Sequence, residues 1–258
     1  HDVPVYPCLS NSPSYNLRVK WPHEWGAMDR GVASNYWHAG ADGIYDFNDY
    51  IWGDFGTREW QVPIEGRYDL DMRMQESKWH EIGDPRTLAG KSKLYLVSGG
   101  IPIHYSMNEA GPSPLLPVDL SIPRTLPLIV GDDVPSAVAQ ETLLGTRLRV
   151  HLQRVTRRHR LRFSMNGVAL RNGANADVHY DSWGPLQAGR GITQPPNAQD
   201  SDVFTPVPDI AGDCWAEYAL GAPPLEQGAN QLTVSVEEGS NDEAACIRHV
   251  ELAVWYRG

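Results

Sequence analysis

Through the C-terminal half of the chain, apolar and polar positions alternate with a period of two. Leu148, Val150 and Leu152 interleave with Arg147, Arg149 and His151, and Leu161, Phe163 and Met165 with Arg160, Arg162 and Ser164. Leu232, Val234 and Val236 alternate with Gln231, Thr233 and Ser235, and Val250, Leu252, Val254 and Tyr256 with His249, Glu251, Ala253 and Trp255. Each run predicts a strand with one face in a core and one in water, the habit of antiparallel sheets. Asn166-Gly167, Asn172-Gly173 and Gln227-Gly228-Ala229-Asn230 mark the turns between them. Several short strands that each bury one face predict a β-sandwich. The polar stretch from Gly184 to Pro208, with prolines at 195, 196, 206 and 208, predicts an excursion loop.

Before residue 98 the pattern changes, and short strand-like runs alternate with helix-compatible segments. Val3-Pro4-Val5-Tyr6-Pro7 reads as a strand, Glu24 to Ala39 as a helix capped by Gly40, Ala41 to Asn48 as a strand, and Leu70 to Ile82 as a second helix. Strand–helix–strand–helix is the grammar of a parallel α/β sheet. Two such units leave parallel edges and an apolar face uncovered, so the pattern predicts further strands from an upstream segment or a partner chain. The opening His1-Asp2-Val3 is neither an initiator methionine nor a signal peptide, which supports the same expectation of an upstream segment.

Composition changes this picture only at a few points. The net charge of −10 argues against nucleic acid as a partner, since phosphate backbones select basic surfaces. Against that background Arg147, Arg149, Arg154, Arg157, Arg158, Arg160 and Arg162, with His151 and His159, form a local basic band. It reads either as the solvated face of two strands and their turn, or as a contact for an acidic polysaccharide or acidic subunit. No apolar run is long enough to span a bilayer. Cys8, Cys214 and Cys246 are too few for a disulfide scaffold; the last two pair only if their strands are neighbours, and are otherwise buried thiols. No cofactor loop and no zinc spacing occurs, and no metal is expected.

Ala39-Gly40-Ala41-Asp42-Gly43-Ile44-Tyr45-Asp46-Phe47-Asn48 resembles the final strand of glycoside-hydrolase-like (β/α)8 barrels, and Val3 to Pro7 looks like the strand before it. Glu81-Ile82-Gly83-Asp84-Pro85 with Lys93-Leu94-Tyr95 resembles the exit from the last barrel helix. Leu161 to Gly167, Leu225 to Leu232 and Val250 to Tyr256 are similar to galactose-binding-like jelly-roll domains, which follow the catalytic barrel in many glycosidases. The resemblance implies an α/β plus all-β chain: residues 1–97 as the last strands and helices of a (β/α)8 barrel, and 98–258 as a galactose-binding-like β-sandwich. It also implies a carbohydrate partner and an extracellular or cell-envelope location in a bacterial protein.

Glycoside hydrolysis uses two carboxylates at a controlled separation, and the last two strands of a barrel supply at most part of that pair. Catalytic residues are therefore unassigned and the enzyme question stays open. For substrate binding, Asp46 and Asn48 fall at the carboxyl end of the barrel-like strand, where they hold a sugar hydroxyl or merely satisfy backbone amides. Trp25, Trp37 and Trp52 offer flat faces to a sugar or fill packing positions, and His38 follows Trp37. Asp132-Asp133 reads as a solvated turn, with a calcium site as the sharper alternative. Trp255 faces away from its strand's core and predicts a cover from another domain, a subunit or a ligand. The function expected is binding or hydrolysis of a polysaccharide by a glycoside-hydrolase-like protein; the alternative is a non-catalytic structural or assembly subunit.

Overall fold

The structure, a computed structural model, describes residues 3–10, 25–47, 79–98, 116–171, 173–176, 202–206, 212–220, 223–238 and 245–257. One sheet has the order β10 (Val203–Phe204), β7 (Arg160–Met165), β12 (Gly228–Glu238) and β5 (Arg124–Val130), with β8 (Val168–Ala169) beside β7. The other runs β3 (Lys93–Ser98), β13 (Cys246–Tyr256), β6 (Leu143–Val155), β11 (Gly212–Leu220) and β9 (Ala174–Ala176), with β4 (Val118–Asp119) on β13. Every pairing in both sheets is antiparallel.

A single core joins the two sheets. Leu126, Leu128, Leu161, Phe163, Met165, Leu232 and Val234 come from one, and Leu148, Val150, Leu152, Ala216, Tyr218, Val250 and Leu252 from the other. These are the alternating apolar positions of the sequence, and their shared burial gives the layout of a β-sandwich. The Asn166-Gly167 turn has positive φ at both residues, 51° and 80°, and closes the β7–β8 hairpin as a type I′ turn. Asn230, fully buried, ties the entrance of β12 together. Its amide oxygen accepts from the Glu226 N–H and from Asn166, both at 2.8 Å, and its nitrogen donates to the Glu226 carbonyl at 2.8 Å.

The N-terminal region corrects the α/β expectation. Among the described residues strand makes up 49% and helix 18%, and the sheets are antiparallel rather than the end of a (β/α)8 barrel. The one parallel pairing among the described strands joins β1 (Cys8–Ser10) to β2 (Tyr45–Phe47), with α1 (Trp25–His38) between them in sequence. That is a local strand–helix–strand unit, which is why the sequence reads as α/β. Its helix, however, packs on the antiparallel sheets. Met28 lies against Leu94 of β3 and Ala253 of β13, with Ala27, Leu96 and Trp255 around them. An adjoining side of α1, through Ala33, Val32, Tyr36 and Trp37, covers Leu9, Ile44, Ile82 and Leu88. Trp255 is thus covered by α1 of its own chain. β3 ends at the compositional change at residue 98, yet it belongs to the larger sheet.

Close approach of α1 depends on small residues. A Cβ on Gly31 would stand 2.3 Å from the Leu94 carbonyl oxygen, a backbone atom of β3 that has no side-chain freedom to yield. Gly31→Ala therefore tests the docking by sign. In an undocked helix the change stabilises by about 1 kcal/mol. Against the β3 backbone it overpacks the joint, and we expect a net loss of roughly 1–2 kcal/mol in urea denaturation. A gain in stability would show that α1 does not sit on β3.

Candidate functional site

The seam where α1 and α2 (Pro85–Leu88) meet the sandwich holds a cleft of about 400 Å³. Ser34, Trp37 and His38 of α1 form one wall, and Pro85, Leu88, Ala89 and Gly90 a second. The opposite side comes from Gly131, Asp132 and Asp133 after β5, from Ser136, Ala137 and Gln140 of α3 (Val134–Ala139) and the turn after it, and from Thr142, Gln227 and Tyr256. Clefts of this size between packed units are the usual setting for small ligands.

The walls meet because Gly131 has no side chain. A Cβ there would lie 2.3 Å from the Ser34 carbonyl oxygen. The neighbouring bonds fix the joint: Ser34 Oγ donates to Asp132 Oδ1 at 2.9 Å, Asn35 donates to the Ile129 carbonyl at 3.2 Å, and Gln227 Nε2 donates to the Gly131 carbonyl at 2.8 Å. Trp37 Nε1 donates to the Ile82 carbonyl at 2.9 Å, which holds the indole in one orientation. His38 is exposed at the rim and lies over Gly228.

Beneath the floor lies a buried ion pair. Lys93 points to the core side of β3 and its ammonium is wholly buried, 2.9 Å from Asp132 Oδ2. It also donates to the carbonyls of Leu88 at 2.7 Å and Lys91 at 3.0 Å. Tyr256 OH donates to the same Asp132 oxygen at 2.6 Å. Burial pushes the Lys93 ammonium below its ordinary value, and the nearby Asp132 charge opposes that. Burial, with the Asp132 charge second, pushes the Tyr256 hydroxyl far up. Asp133 caps α3 through the Ser136 N–H at 3.0 Å and the Ser136 hydroxyl at 2.6 Å, and those bonds hold its carboxyl below the usual range. Asp132-Asp133 is therefore an ion-paired residue beside a helix cap, and among the described residues no cluster of three or more potential metal-ligating side chains occurs.

The arginine band divides in two. Arg147 and Arg149 lie on the side of β6 away from the core, yet both are buried. Arg147 pairs with Glu217 of β11 at 3.0 Å, and Arg149 reaches Glu217 at 3.4 Å and Glu251 of β13 at 3.6 Å. His249 lies 2.9 Å from Glu251, His151 stacks on Trp215 at 4.7 Å, and Arg149 stands 5.0 Å over the Trp215 ring. This ladder crosses three central strands and sets its opposite charges beside one another within the chain. Arg154, Arg157, Arg158 and Arg160 lie exposed, and Arg162 pairs with Glu237 and Asp202. Neither the solvated face nor the external acidic contact describes the whole band.

Of the substrate-binding candidates, Trp37 and His38 come together in the cleft. Trp25 opens α1 and Asp46 sits in β2 opposite Leu9, but their side chains, like Asn48 and Trp52, lie outside the described residues. The same holds for Leu70 to Lys78 of the second expected helix, for Trp183 and for residues 184–201 of the expected excursion loop. No disulfide joins Cys214 to Cys246. Their strands flank β6 on opposite sides, about two strand spacings of ~4.8 Å apart, beyond disulfide reach. Sequence reasoning missed Lys93, Gln227 and Tyr256. The signal for Lys93 was available: a lysine in register with Tyr95 and Val97 on one face of an apolar strand requires a buried counter-ion.

No protein-family model matches this chain, and no curated protein matches it.

Proposed function

We propose that this protein is a polysaccharide-binding, glycoside-hydrolase-like protein that acts outside the cytoplasm, and that the described part binds sugar without cutting it. The observation that carries the reading is the seam cleft, where the fixed Trp37 indole and the Tyr256 ring stand beside His38, Gln140 and Gln227. Sugars present apolar C–H faces edged by hydroxyls, and rings flanked by hydrogen-bonding groups suit both. The two-sheet sandwich and its Asn166-Gly167 and Asn230 turns are in keeping with a galactose-binding-like jelly roll. Hydrolysis is not assigned to the cleft, because its two carboxylates are engaged: Asp132 with Lys93, Ser34 and Tyr256, Asp133 with Ser136.

Native electrophoresis in gels containing a range of polysaccharides tests this directly. We expect retardation by at least one polysaccharide and no release of reducing ends from it. Unchanged mobility in every gel overturns the reading.

A second reading, a structural or assembly subunit, draws on the exposed side chains of Val3, Val5, Tyr6 and Tyr45 around the β1–β2 pair. It predicts concentration-dependent association in light scattering that Val5→Lys abolishes.

A further inference from the structure

We propose that the seam cleft selects uncharged sugar units and rejects anionic ones, an inference that rests on the polysaccharide-binding reading above. Among the described residues, the lining includes two aspartates and no lysine or arginine. The cation paired with Asp132, Lys93, lies under the floor with its ammonium wholly buried and three oxygens around it, from Asp132, Leu88 and Lys91. It neutralises Asp132 without facing the cleft. Asp133 keeps its negative charge at the mouth, exposed and held ionised by its bonds to Ser136.

A uronate, sulfate or phosphate entering here meets a fixed negative charge and, among the described lining residues, no lysine or arginine to compensate it. A neutral hydroxyl meets acceptors and donors it can use. Gln227 spends its amide nitrogen on the Gly131 carbonyl, which leaves its oxygen for a ligand, and His38 and Gln140 add polar groups at the exposed rim. The selection is thus built from the helix cap and the buried ion pair that hold the seam together.

Calorimetry with the full protein tests the inference, using neutral hexose oligosaccharides and, for each, the oligomer of the corresponding uronic acid. We expect the neutral oligomer to bind at least ~10-fold more tightly than its uronic partner. Two exposed rim positions supply the controls. Ala89→Trp fills the mouth of the cleft and should abolish binding, while Gln140→Arg should narrow the neutral-to-uronic ratio by introducing a cation. Uronic oligomers that bind as tightly as neutral ones, and are lost in Ala89→Trp, overturn the charge selection and leave the polysaccharide reading intact. Neutral binding that survives Ala89→Trp places the site elsewhere and overturns this inference alone. No binding of any oligosaccharide overturns both.

Discussion

Replacing Asp132 by alanine will lower the stability of the protein by about 3 kcal/mol, because it strands a buried ammonium without its counter-ion. Lys93 is fully buried, whereas the Asp132 side chain retains 13% exposure, so the two partners are not equivalent. Without Asp132 the ammonium keeps only the carbonyls of Leu88 and Lys91, and the hydroxyls of Ser34 and Tyr256 lose their acceptor. The reverse change, Lys93→Met, leaves Asp132 with water and two hydroxyl donors, and should be clearly milder. Urea denaturation of the two single variants and of Lys93→Met/Asp132→Ala measures the coupling. The double variant should lose much less than the sum of the Asp132→Ala and Lys93→Met losses. If Asp132→Ala costs less than about 1 kcal/mol, the ion pair does not hold the seam.

Alkali will unfold the protein steeply above pH 10. Burial raises the hydroxyls of Tyr95 and Tyr218 well above their ordinary value of 10.0, and raises Tyr256 likewise. A folded-state value above the unfolded one means that the native state binds more protons in that window. The stability is fully present below pH 10 and is lost as pH rises. Each such tyrosine contributes a slope of about 1.4 kcal/mol per pH unit, so three together give about 4. Lys93 has the opposite sign: its lowered value means that the unfolded chain holds the extra proton, so its term favours folding as pH rises toward 10.5 and adds nothing further beyond it. A stability of about 10 kcal/mol is then exhausted within a few pH units. Urea midpoints measured from pH 8 to 12 should show this fall, and Tyr218→Phe should flatten the slope by about one third. A pH-independent midpoint through pH 11 would show that these hydroxyls are not buried.

The strands of the sandwich were legible because burial on one face writes a period of two into the sequence. Leu148, Val150 and Leu152 predicted the inward face of β6, and Val250, Leu252 and Val254 that of β13. The same reasoning placed α1 and its end before Gly40, and the Asn166-Gly167 hairpin. It misread the outward face of β6. Alternation says which side of a strand is polar, but not which charges the flanking strands set beside it, and Arg147 and Arg149, both buried, pair with Glu217 of β11 and Glu251 of β13. It also misread the N-terminal segment. A strand, a helix and a strand in succession look alike whether the helix covers a parallel sheet or, as here, docks on an antiparallel one.

The cleft was legible only in fragments. Trp37 and His38 stood out as aromatic and polar neighbours, and Asp132-Asp133 as an acidic pair, but ninety-odd residues separate them in the chain. The sequence by itself determined which residues face a core, where the hairpins turn and that the chain carries two antiparallel-type strand sets. Only the tertiary structure decided that α1 lies on β3, that Lys93 meets Asp132 and Tyr256, and that a cleft opens at that seam. The physical reason is that strand faces and turns are set by local stereochemistry and burial, which repeat along the chain. Long-range pairing depends on close backbone approach at Gly31 and Gly131 and on one buried charge finding its partner, and neither leaves a periodic trace.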